Sequence, residues 1–73
     1  MNEGFLLEGD EARLREIVAN AESETDRLRA EILLAFEAGM SMRDVSEKVG
    51  IPVQRVLFWR REYLKQGLSL FDE

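Results

Sequence analysis

The chain has 73 residues and a net charge of −5, with no Cys and no His. A chain this short holds at most one domain, and its core is marginal because such a domain buries only about 60% of the surface its unfolded form exposes. Without Cys there is no disulfide or thiolate metal site, and without His the commonest general base and transition-metal ligand are missing, so no cofactor, no metal and no catalytic activity is expected.

In chain order, residues 1–9 carry Gly4 and Gly9 and show no helical period. They are expected to form a flexible arm, with Phe5-Leu6-Leu7 flanked by Glu3 and Glu8 as its one distinctive feature. The arm lacks the basic start and long apolar stretch of a signal peptide. The longest apolar run, residues 32–36, is far short of the roughly 20 residues of a membrane span, so a cytoplasmic setting is expected. Charge is uneven. Residues 1–26 carry −6, residues 27–50 carry 0 and residues 51–73 carry +1. An acidic front end is repelled by nucleic acid and attracted to basic protein surfaces.

Residues 10–73 read as one all-α domain. Leu14, Ile17, Val18 and Ala21 recur at helical spacing, which predicts a helix over 10–21 with Asp10 as N-cap and Glu11 favourable in its first turn. Ser23 to Thr25 is a polar joint at which the helix either breaks or runs through. Thr25 or Asp26 caps the next helix, which runs to Ala38. Leu28, Ile32, Ala35 and Phe36 form its apolar stripe, Leu33 and Leu34 widen it, and Gly39 stops it. Ser41, followed three residues on by Asp44, predicts a short helix over 42–49 ended by Gly50. Pro52 opens a further helix to about Gln66, where Gly67 stops it. The remaining LSLFDE is a short tail.

Two helices joined by a tight Gly-containing turn make a helix-turn-helix unit. Over MRDVSEKVGIPVQRVLFWRR, residues 42–61, the register fits position by position. Val45 and Val49 are apolar on the first helix, Ser46 is small where the helices cross, Gly50 allows positive φ, Ile51 plugs the core, and Val56 and Trp59 face inward. With the helix before it, this unit predicts a three-helix core over 26–66, with Trp59 at its centre and the residue 10–21 helix as an addition. The sequence resembles the homeodomain-like helix-turn-helix superfamily, which includes the DNA-binding domains of transposases and resolvases.

The surface of the last helix departs from a plain DNA reader. At about 100° per residue from Val56, the residues Pro52, Trp59 and Tyr63 share the inner face, while Leu57 and Leu64 fall on the flank, where packing under the N-terminal helix is expected. Phe58 falls on the opposite side, with Gln54, Arg61 and Lys65. Phe can touch a thymine methyl but offers no hydrogen bond to a base edge, and an aromatic beside Arg is typical of protein–protein hot spots. Pro52 stands where a Ser or Thr hydroxyl commonly caps and binds phosphate.

Two functional classes follow. The acidity, the short length and the arm resemble small acidic phage-encoded regulators, such as those of Xanthomonas phages, that bind host RNA polymerase. That resemblance implies inhibition of initiation or antitermination, with the polymerase large subunits as partner. The contact it implies is the arm, with Phe5, Leu6, Leu7, Glu8 and Asp10; Phe58 and Arg61 join it as the aromatic-and-Arg pair noted above. The alternative is a sequence-specific DNA-binding repressor or activator, with Gln54, Arg55, Phe58 and Arg61 in the groove and Arg60 and Lys65 on phosphates. A third, weaker reading is the DNA-binding piece of a transposase-like enzyme. The bland alternatives are a solvated helix surface for the acids of residues 8–26, the ordinary preference of bases for the C-terminal half of a helix for Arg60, Arg61 and Lys65, and a single exposed apolar residue for Phe58. Glu31 and Glu37 show no paired-carboxylate arrangement.

Overall fold

Breaks at Gly and at Ser caps divide the described residues into four α-helices and a final turn of 3-10 helix. The computed structural model describes Leu6 and residues 9–71, and no strand occurs among them. The helices are α1 (Asp10–Asn20), α2 (Glu24–Glu37), α3 (Met42–Val49) and α4 (Val53–Gln66), followed by the 3-10 turn Gly67–Phe71. The joint after α1 is a true break. Ser23, rather than Thr25 or Asp26, caps α2 by accepting the Asp26 N–H at 3.3 Å. Ser41 caps α3 in the same way, accepting the Asp44 N–H at 3.1 Å. Each cap satisfies a backbone donor that has no partner inside the helix. Asp10 is not the cap of α1 but its first residue, since Gly9 takes the cap position. The Asp10 carboxylate instead accepts the Tyr63 hydroxyl at 2.6 Å, tying the start of α1 to the far end of α4.

Helix α2 stands in the middle, with a buried cluster on each side. On one side Leu28, Ile32, Ala35 and Phe36 pack with Val45, Val49, Ile51 and Val56 of the helix-turn-helix. This is the stripe expected from the sequence. On the other side Ala30, Leu33 and Leu34 pack with Leu14, Ile17 and Val18 of α1, joined by Tyr63, Leu68, Leu70 and Phe71. Leu33 and Leu34 therefore do not widen the first stripe; they belong to a second one. The completely enclosed residues are Leu14, Ile32, Leu33, Val45 and Val56. Trp59 is half-buried and touches both clusters, so it bridges two cores instead of sitting at the centre of one. The Cα radius of gyration is 11.3 Å, against about 11 Å for a compact chain of this length, so the added elements lie tightly on the helix-turn-helix.

Two further expectations change. Leu6, placed by the sequence on a free arm as a partner contact, is 5% exposed and part of the α1-side cluster. Its N–H donates to the Glu37 carboxylate at 2.7 Å, so this point of the chain is fastened by both packing and a charge-assisted bond. Phe5, Leu7 and Glu8 lie outside the described residues. The LSLFDE tail is also structured over most of its length. Gly67, at φ 64° and ψ −148°, takes a conformation open essentially to glycine alone and folds the chain back, so that Leu70 is buried.

Candidate nucleic-acid interface

The α3–turn–α4 unit is braced from within. Gly50 adopts φ 77° and sends its N–H to the Ser46 carbonyl at 2.8 Å. The Ser46 hydroxyl donates across the turn to the Ile51 carbonyl at 2.5 Å. Ser46 was expected only to be small at a helix crossing; it also satisfies a carbonyl that the reversal of the chain leaves without a helical partner. Pro52 then precedes the first turn of α4, where its missing N–H costs nothing, and offers no side-chain cap.

That brace points α4 so that Val56 and Tyr63 are buried and the opposite face is free. Gln54, Arg55, Phe58, Arg61 and Lys65 are all exposed, as is Arg43 on α3. Arg60 is exposed too, but on the side facing α2, with its guanidinium 5.3 Å from the Phe36 ring centroid. It borders a groove lined by Phe36, Met40, Met42 and Leu57. Leu57 is half-buried there, beside α2 and the turn into α3, and not under the N-terminal helix as expected. Leu64 is not: at 61% exposed it packs under nothing. Of the other expected contacts, Leu6 and Asp10 are spent on internal structure, as described above.

Charge follows the same division. Residues 42–66 hold six bases and three acids, a net +3, and the remaining residues carry −8. The acids at the other end are exposed at Glu16, Glu22 and Glu24. Arg13 and Arg15 on α1 are held in exposed ion pairs with Glu16 and Glu11, worth little in stability but leaving no cationic stripe there.

Phe58 is 43% exposed and stands edge-on to Trp59, with ring centroids 4.8 Å apart and planes at 76°. The guanidinium of Arg29 on α2 lies 3.8 Å from the Trp59 ring centroid. Gln54, Arg55, Phe58 and Trp59 line a mainly apolar cleft on this face. The role of Arg29 is not visible in the sequence. It lies just off the apolar stripe of α2, and the ring it meets comes from a helix two elements later. Among the described residues no group of three or more acidic, His or Cys side chains is placed to hold a metal ion, and no helix is long and apolar enough to cross a membrane.

No curated protein and no solved structure matches the chain. A family model for the homeodomain-like domain matches residues 23–70, from the cap of α2 to the buried end of the 3-10 turn. Since that span takes in α2, the whole helix-turn-helix and about two thirds of the sequence, the chain belongs to the homeodomain-like domain family.

Proposed function

We propose that this protein is a DNA-binding transcription regulator that lays α4 in a major groove. The observation that carries the reading is the coincidence of the exposed α4 face with a net positive stretch of the chain, residues 42–66 at +3. Gln54 has one donor and one acceptor for bidentate contact with an adenine edge, and Arg61 has two donors for the N7 and O6 acceptors of guanine. Arg55 and Phe58 complete the groove face, and Arg60 and Lys65 fit phosphates on either side. The acids, gathered mainly on residues 1–26, turn the protein so that its basic end meets DNA first. Membership in a homeodomain-like family supports this reading over a protein-only role. The test is duplex binding across a salt series. With the phosphate contacts of Arg60 and Lys65, log affinity should fall against log salt with a slope of about −2. A flat salt response would remove the DNA reading.

A second reading has one observation in its favour. The exposed Glu16, Glu22 and Glu24 form an acidic end that suits a basic protein surface, such as that of the RNA polymerase large subunits, and inhibition of initiation or antitermination would follow. Phe58 and Arg61 remain available as further contacts, whereas Leu6 and Asp10 do not. Polymerase capture that survives Gln54→Ala with Lys65→Ala but is lost on reversal of Glu16, Glu22 and Glu24 to Lys would place this reading first.

A further inference from the structure

We infer that Arg29, Trp59 and Phe58 form a preset reader of the 5-methyl group of a pyrimidine, in which Phe58 makes the contact and Arg29 is a positioning residue. The inference rests on the DNA-binding reading and names what its least expected residue recognises. An exposed Phe on a polar helix face gives up burial it could have had, and it has no donor or acceptor with which to read a base edge. The one apolar feature a base pair shows in the major groove is the methyl group on C5 of thymine. The same group is present on 5-methylcytosine.

Three features of the structure suit this task. First, Phe58 does not swing freely, because its ring is set against Trp59 in the edge-to-face arrangement that aromatic quadrupoles favour. Second, Trp59 is itself held from the α2 side by the Arg29 guanidinium. Arg29 has only a loose ion pair, 3.7 Å to Asp26, and its buried Nε has no hydrogen-bond partner. Its position is therefore set by the ring more than by hydrogen bonds. Third, the cleft beside Phe58 and Trp59 is walled mainly by apolar surface and bordered by Gln54 and Arg55. Those two polar side chains lie where neighbouring bases or phosphates would be. A side chain held before binding loses less freedom on binding, so a methyl contact too small to organise a mobile Phe can count fully here.

The test begins with the full chain and a pool of random-sequence duplexes. The retained sequence is then resynthesised with each thymine in turn replaced by uracil, which keeps every hydrogen bond and removes only the methyl group. At one or two positions the wild-type protein should bind about fourfold more weakly, the worth of one buried methyl group. Phe58→Ala, which leaves the fold intact because the residue faces solvent, should bind thymine and uracil duplexes equally. Arg29→Lys keeps the charge but not the planar stack, and should lose part of the discrimination while circular dichroism stays unchanged. At the same position, 5-methylcytosine paired with guanine should bind better than cytosine if the methyl group alone is read. If 5-methylcytosine binds no better than cytosine there, Phe58 does not read the methyl group and the inference fails. A uracil effect that is absent in wild type, or equal in Phe58→Ala, overturns the inference and leaves the DNA reading standing. Retention of no duplex from the pool would remove both.

Discussion

The two clusters on either side of α2 are similar in size and unlike in construction. The helix-turn-helix side is drawn from one continuous stretch, Leu28 to Trp59, and each partner follows its neighbour within a helix or a turn. The α1 side gathers Leu6, Leu14, Leu33, Tyr63 and Leu70, which come from both ends of the chain and its middle. The first is a motif that can be written locally. The second closes only when distant segments meet, and bringing them together carries the larger loop-closure cost. A domain of 73 residues depends on both, because either cluster alone is small for independent stability.

The largest test of that comparison sets one enclosed residue from each side against the other. Ile32→Ala and Leu14→Ala should each cost about 4 kcal/mol, in the upper part of the range for burial-to-Ala changes, measured as a shift in urea midpoint at constant slope. If Leu14→Ala costs under about 1 kcal/mol, the α1 side is an appendage and the comparison fails. Trp59→Ala should cost about 3 kcal/mol, the low end for Trp because the ring is half-buried. As the ring touches both clusters, this variant should also broaden the transition; a change confined to the midpoint would show that α2 alone couples the two sides.

Leu6→Ala should cost about 2 kcal/mol. No loss of thermal midpoint would return this residue to the role of a free contact. Smallest, Ser41→Ala should cost about 1 kcal/mol through its cap on α3. Hydrogen exchange should quicken in α3 and stay unchanged in α1; equal quickening in both would mean that the clusters open together.

The same contrast explains how much was legible in the sequence. The limits of α3, its Ser41 cap, the Gly50 turn, the extent of α4 and the stripe on α2 all depend on residues within about a turn of one another, and all appear as read. Leu6, the Asp10–Tyr63 bond, the second face of α2 and the buried Leu70 each need a partner far away in the chain, and no local period announces them. The α2 cap was misplaced for a different reason. Ser23, Thr25 and Asp26 are all good caps, and the choice among them is made by where α1 ends, which tertiary packing decides. At the candidate site, the exposed residues of α4 followed from helical geometry. Arg29 did not, because its contact joins two helices across the core. Leu57 and Leu64 were both assigned to packing under the N-terminal helix on angle alone; Leu57 lies instead beside Phe36 and Met40, and nothing covers Leu64.

Leu6 and Leu70 lie in the same buried cluster, so the chain enters and leaves the fold on the same side. Such an arrangement suits head-to-tail cyclisation. A linker joining the chain ahead of Leu6 to the chain beyond Leu70 would remove freedom from the unfolded chain, and new ends could be opened in the exposed turn at Gly39.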